Sequence, residues 1–237
     1  MVTIISSSSN YGSLKVRRLK HRNILFVMKC KAFIIVYNRL QLPVKIADWL
    51  WEINVDPIFV DNNSDYPPLL EYYKTTPYQI IRMPQNYGYK VVWEQNLLEK
   101  LGITGNYIVT DPDLDLTGIP DDFLSVLEEG LNRYPQFDKC GFSLEIKDLP
   151  KTPFCPLDWE IQFWQNPLDG RYYDAPVDTT FALYKVPFHS TKGIRTNRPY
   201  TCRHMPWYYF KFEDMPADEQ YYFKTCRESH SMGGIFR

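Results

Sequence analysis

Short β-branched and aromatic runs recur along the chain at intervals that leave room for one helix between each pair. Runs at 32–37, 57–61, 79–83, 107–110, 140–146 and 178–186 read as strands. Between them, 43–51, 67–73, 88–101, 120–131 and 158–165 carry helical patterns. Pro43, Pro67 and Pro120 sit where a first helical residue tolerates proline, and Gly102 stands where a helix stops. This alternation predicts an α/β fold, with a mostly parallel central sheet flanked by helices. Beyond about residue 187 the rhythm fails. The sequence there is basic, aromatic and Pro-rich, which predicts a loop-rich segment packed over one edge of the sheet.

A chain of 237 residues can bury one substantial core, so 29–237 is expected to form a single domain. Residues 1–28 read as a disordered N-terminal extension, because a Ser6–Ser9 run precedes the basic stretch Lys15, Arg17, Arg18, Lys20 and Arg22. A net charge of −1 argues against a dedicated nucleic-acid partner, which needs a basic face. The cysteines Cys30, Cys140, Cys155, Cys202 and Cys226 form no C-x-x-C pair and fit a reducing compartment. No apolar run approaches the ~20 residues of a membrane span. The stretch 24–36 is broken by Lys29 and Lys31, and the apolar segment after the basic run is too short for a signal peptide. A cytoplasmic protein is the expectation.

Polar clusters follow successive strands: Tyr37-Asn38-Arg39, Asp61-Asn62-Asn63-Ser64, and Asp111-Pro112-Asp113 with Asp115 beyond it. In a parallel sheet these strand ends share one edge, where open α/β sheets bind ligands. Pro112 has no N–H for a ladder, so the strand must stop before it. Carboxylates so close in sequence repel one another unless a cation sits among them. The plainer reading is a turn, with Asp capping the next helix. Asp and Asn can grip a base edge and ribose hydroxyls, and a carboxylate-held metal neutralises a diphosphate. No Gly-rich phosphate loop is present, so phosphate binding would fall to metal and side chains.

The steps Ile35-Val36-Tyr37-Asn38-Arg39, Phe59-Val60-Asp61-Asn62-Asn63-Ser64, Asn86-Tyr87-Gly88 and Asp111-Pro112-Asp113 occur in the order seen in GT-A glycosyltransferases. The chain most resembles the inverting family 2 type and its relatives in bacteria and large DNA viruses, over about residues 30 to 210. The resemblance implies a Rossmann-like GT-A fold, a nucleoside diphosphate sugar donor, a glycan or glycoconjugate acceptor, and Mn²⁺ or Mg²⁺. It implies nucleotide contacts from Tyr37, Asn38, Arg39, Asp61, Asn63, Asn86, Gly88 and Asp111, with Asp61 at the base. It also implies metal contacts from Asp111, from Asp113 as principal ligand, from Asp115 as an extra acid, and from a late histidine, His204. Asp115 can equally cap a turn, and His204 can equally be a structural loop histidine. For the general base of an inverting transfer, Asp178 leads, with Glu160 and Asp158 around Trp159 as alternatives. Asp178 can also be read as a turn cap. The pair Glu213-Asp214, which the family would place before the late histidine, here follows it. Arg195, Arg198 and Arg203 either close over a diphosphate or are solvated surface residues.

Two other readings compete. Asp113-Leu114-Asp115-Leu116-Thr117 spells D-x-D-x-T, the nucleophile motif of haloacid-dehalogenase-like phosphatases. A non-catalytic nucleotide-sugar- or carbohydrate-binding protein of the same fold would keep the site and lack the base.

Overall fold

The computed structural model describes residues 3–5, 30–152, 156–187 and 192–226. In chain order the elements are β1 (Thr3–Ile5), β2 (Lys31–Val36), α1 (Gln41–Glu52), β3 (Asp56–Asp61), α2 (Pro67–Tyr72), β4 (Gln79–Arg82), α3 (Val91–Glu94) and α4 (Leu97–Lys100). Then come β5 (Tyr107–Thr110), β6 (Leu114–Asp115), α5 (Phe123–Arg133), β7 (Lys139–Leu144), α6 (Leu157–Glu160), β8 (Tyr172–Asp174), β9 (Phe181–Tyr184), β10 (Gly193–His204) and α7 (Ala217–Thr225).

The strands form one sheet in the order β1-β4-β3-β2-β5-β9-β7-β10-β6, with β8 on β10. β4, β3, β2 and β5 run parallel, as the alternation predicts. The rest corrects the expectation of a mostly parallel sheet. β9 runs antiparallel to both β5 and β7, β10 is parallel to β7, and β8 and β6 are antiparallel to β10. The sheet is therefore mixed. Hydrophobic runs give strand identity but not direction, and a buried antiparallel strand between two neighbours reads like a parallel one.

Alternate residues of β2 serve opposite faces. Ala32, Ile34 and Val36 join a core containing Ile46 and Leu50 of α1 and Phe123 and Leu127 of α5. Phe33 and Ile35 join a second core with Val91, Val92 and Leu97 from α3 and α4. Burial on both faces explains why β2 is apolar from Ala32 to Val36. The helix expected over 88–101 is two short pieces, because Asn96 between them has φ 52, a left-handed conformation that Asn tolerates and a helix interior does not. The helix expected over 158–165 is α6 followed by a 3₁₀ turn, Ile161–Trp164.

The region after 187 departs most from expectation. It holds the longest strand, β10, and the helix α7 rather than loops alone. β10 escapes pattern recognition because its arginines are paired with acids distant in sequence. Arg195 pairs with Glu160, Arg198 with Glu145 and Arg203 with Asp148. Each is held by its carboxylate; the Arg195 and Arg198 pairs are buried or partly so, whereas the Arg203–Asp148 pair lies at the surface. At the other end of the chain, Thr3–Ile5 adds an antiparallel edge strand to β4. The rest of the expected 1–28 extension lies outside the described residues. Among the described residues no helix is long and apolar enough to cross a membrane.

Candidate functional site

The carboxyl ends of β2, β3 and β5 lie side by side, as the register Val36↔Asp61 and Ile34↔Thr110 requires. Asn38, just past β2, takes φ 55 and is fully buried. Its Nδ2 donates to Asp65 Oδ1 (2.8 Å) and Thr225 Oγ1 (3.0 Å), and its Oδ1 accepts from the amides of Asp65 (2.8 Å) and Tyr66 (3.0 Å). Two donors and two acceptor sites exhaust what a carboxamide offers. Asn38 therefore builds the site floor. Tyr37 also reaches α7, with its hydroxyl 3.5 Å from the Thr225 carbonyl.

Asp61 is buried beneath the turn it begins. It accepts from the Ser64 amide at 3.2 and 3.3 Å and lies 3.5 Å from Arg82 Nε. Burial raises its pKa, with Ser64 and Arg82 opposing. Asn63 is exposed in a left-handed conformation, φ 63. Its neighbour Asn62 does the joining, donating to the Gly88 carbonyl (3.0 Å) and accepting from the Tyr87 amide (3.3 Å). Asn86 Oδ1 accepts from the Gly88 amide (2.8 Å) and so sets that turn, where Gly88 has φ 75.

β5 ends at Thr110, and the chain passes through Asp111-Pro112-Asp113 into the short β6, which pairs with the end of β10. The register His204↔Leu114 brings His204 to the acids from 90 residues away. His204 Nε2 lies 3.3 Å and Arg39 Nη2 3.2 Å from the same oxygen, Asp113 Oδ2. Asp113 Oδ1, also buried, has no hydrogen-bond partner among the described residues, and neither has His204 Nδ1. Burial alone would raise the Asp113 carboxyl, but His204 and Arg39 outweigh it and hold the group below the ordinary carboxylate range. Asp111 goes the other way. It is raised well above the usual range by burial and by the charges of Asp178 and Asp113, although Thr179 Oγ1 donates to it at 2.7 Å. Asp115 Oδ1 accepts from the Thr117 amide (3.0 Å) and hydroxyl (2.5 Å), so it caps the following turn. The phosphatase reading of Asp113-to-Thr117 needs Asp113 at a strand's end, whereas β5 stops at Thr110 and Asp113 leads into β6.

Asp178 is exposed, and its Oδ1 accepts from the Thr180 amide (3.0 Å) and hydroxyl (2.6 Å), which makes it a turn cap facing the Asp111 cluster. Glu160 is buried against Arg195. Burial raises its pKa, Arg195 opposes that, and Asp178 adds to it. Asp158 points to solvent on the same turn of α6. Lys139, close enough to feel Asp178, is lowered to about 8 by burial. The structure thus gathers Asp111, Asp113, Asp178, Glu160, His204 and Arg39 into one electrostatic cluster. It leaves Asp158 and Asn63 at the surface.

Sequence reading missed α7. Its first turn carries the buried acids Asp218 and Glu219, whereas Glu213 and Asp214 are exposed in a 3₁₀ turn. Asp218 Oδ2 accepts from the amides of Leu40 and Gln41, both at 2.8 Å, and so caps α1, which has no side-chain cap of its own nearby in sequence. Glu219 grips Arg39 with both oxygens, at 2.6 and 3.1 Å, and Tyr222 lies under the Arg39 guanidinium at 3.5 Å. The available signal was Pro216 followed by two acids, an ordinary helix start. Asp218→Ala strands two amide donors in a partly buried setting and is expected to cost about 1 kcal/mol, the usual scale of a lost helix cap. The measurement is a lower urea midpoint at an unchanged slope; an unchanged midpoint removes the capping role.

Among the described residues no three His, Cys, Asp or Glu side chains converge on one point. The donors nevertheless suit a hard cation that keeps waters and takes further oxygens from a bound diphosphate. Such an ion needs only one or two protein carboxylates. Asp113 offers a buried, unsatisfied oxygen, and Asp111 and His204 adjoin it.

No family model matches the sequence, and no curated protein matches it. Among solved structures the chain is similar to one from Bacillus anthracis described as a glucose-1-phosphate thymidylyltransferase in complex with sucrose. The two are 12% identical with a TM-score of 0.40, over 66% of this chain and 71% of that one.

Proposed function

We propose that this chain is a metal-dependent glycosyltransferase that moves a sugar from a nucleoside diphosphate sugar to a hydroxyl of a glycan or related acceptor, with inversion. The observation that carries the reading is Asp113 Oδ1, a buried carboxylate oxygen with no partner among the described residues, set among Asp111, His204 and Arg39 at the strand ends. Inversion comes from the resemblance to the family 2 type. Asp113, with Asp111 beside it, would hold Mn²⁺ or Mg²⁺ together with waters and phosphate oxygens of the donor, while His204 stays on Asp113 Oδ2; the ion when bound supplies Lewis-acid stabilisation of the departing diphosphate. Arg39 adds fixed positive charge beside it. The Asn62–Gly88 and Asn38–Asp65 bonds hold the loops that would receive the nucleotide, so little reorganisation accompanies binding.

For the base, Asp178 is the better placed acid. It faces solvent beside the cluster, whereas Glu160 is engaged by Arg195. Its Oδ1 is held by Thr180, which fixes the carboxylate's orientation, and as a solvent-facing acid it would take the proton of an acceptor hydroxyl. Asp178→Asn keeps the shape and removes the basicity. Turnover is expected to fall at least ~100-fold while nucleoside diphosphate affinity persists. If affinity and melting temperature fall together with turnover, Asp178 is a cap alone.

A thermal-shift screen tests the function itself. Nucleoside diphosphates and their sugars, each with and without Mn²⁺, should raise the melting temperature for one base and chiefly with metal. No shift with any nucleotide would overturn the assignment. Phosphate release from simple monoesters without nucleotide would favour the phosphatase class instead.

A further inference from the structure

Arg39 stands between two acids and is shared unequally. Its Nε and Nη2 donate to Glu219 Oε1 and Oε2 at 2.6 and 3.1 Å, a two-pronged grip of the kind that guanidinium and carboxylate favour. Toward Asp113 it makes only a 3.2 Å charge contact through Nη2. Tyr222 backs the guanidinium plane at 3.5 Å, so the cation is held on a fixed bed by α7. Arg39, Glu219 and Asp113 are all buried. The consequence appears on Asp113. Its Oδ2 has Arg39 and His204 for neighbours, while its Oδ1 is left without a partner among the described residues.

We propose that Glu219 is a positioning residue that limits Arg39 to a single contact with Asp113 Oδ2, and so keeps Asp113 Oδ1 available to a divalent cation. This inference rests on the metal-dependent reading above and names the residue that regulates access to the same site. The physical reason is charge competition. A buried guanidinium must be neutralised, and with Glu219 in place it is. Without that charge, Arg39 turns its fork to the nearest remaining carboxylate, Asp113. A cation approaching Asp113 would then find Oδ1 as well as Oδ2 taken by the guanidinium. Glu219 cannot itself be a ligand in this arrangement, because both of its oxygens are engaged by Arg39.

The test is Mn²⁺ binding to the full chain, read from the electron paramagnetic resonance signal of free Mn²⁺, alone and with nucleoside diphosphates. Glu219→Gln is expected to weaken Mn²⁺ binding about tenfold or more, the scale typical of outer-sphere partners. Glu219→Asp, which keeps the charge on a shorter arm, should fall between the two. The decisive variant is the double substitution Arg39→Gln with Glu219→Gln, which removes the competitor together with its keeper. It should bind Mn²⁺ more tightly than the single Glu219 variant, and close to the parent. If Glu219→Gln binds as the parent does, the inference is overturned and the functional reading stands. If the double variant stays as weak as Glu219→Gln, Glu219 acts on the fold and not through Arg39, and the inference again falls. If the parent binds no Mn²⁺ with or without nucleotide, the metal-dependent reading itself is overturned, and the inference with it.

Discussion

Asp113→Asn is expected to lower sugar transfer at least ~100-fold, the loss typical of removing a principal electrostatic stabiliser. The amide has nearly the same shape, so the 2.9 Å bond from the Met205 amide to the Asp113 carbonyl, which ties this turn to β10, should survive. The substitution removes one negative charge between Arg39 and His204, and with it the charge on the buried acceptor left without a partner at Oδ1. Mn²⁺ binding should therefore weaken together with turnover. Because Arg39 and His204 hold the Asp113 carboxyl below the ordinary range, its charge stabilises the folded state, and the melting temperature should fall somewhat as well. Turnover and Mn²⁺ dependence near those of the parent would exclude Asp113 as the main ligand.

The largest stability effect should come from Arg195→Met. Arg195 pairs with Glu160 in a setting where both side chains are almost wholly excluded from water, donates from Nε to the Pro176 carbonyl at 2.8 Å, and lies over the Phe163 ring at 4.2 Å. Removing one partner of such a pair leaves a buried charge uncompensated, at a cost of about 3–5 kcal/mol. For a chain of this size that lowers the melting temperature by roughly 10 °C or more. The accompanying Glu160→Gln substitution should recover part of the loss, because the double variant buries no unpaired charge. Equal melting temperatures for parent and Arg195→Met would mean that the pair is solvated in solution. If Glu160→Gln alone abolishes turnover at an unchanged melting temperature, Glu160 displaces Asp178 as the base.

The first half of the fold was legible because β2, β3 and β5 are buried on both faces and show themselves as apolar runs, β4 keeps an apolar centre at Ile80 and Ile81, and proline or glycine marks the helices between. The strand-end clusters were legible for the same reason: once the strands are parallel, Tyr37, Asp61 and Asp111 must share an edge. Residues on antiparallel partners were harder to place. His204 meets Asp113 only because β6 pairs with β10 at one register, and nothing local to either segment encodes that pairing. β10 itself was hidden by Arg195, Arg198 and Arg203, whose partners lie 35 to 55 residues away in sequence. Asn62 is hard to tell from Asn63 by sequence, because neighbouring asparagines in one turn differ only in direction, which is fixed by φ 63 at Asn63. Asp218 and Glu219 look like ordinary acids of a helix's first turn, and only the docking of α7 reveals that they serve α1 and Arg39.

That docking has a kinetic consequence. The bonds from Asp218 to Leu40 and from Glu219 to Arg39 close loops of 178 and 180 residues. Each doubling of loop length adds only about 0.6 kcal/mol of closure entropy, so the equilibrium cost is modest. The search for such distant contacts is nevertheless slow, and chains emerge from the ribosome N-terminus first. β2 through β5 can pair as soon as they are made, but a nascent chain lacking residues 217–225 has the first amides of α1 bare and Arg39 without Glu219. The parallel half of the sheet is thus expected to form early, and the strand-end edge around Arg39 to be completed only after synthesis has passed α7.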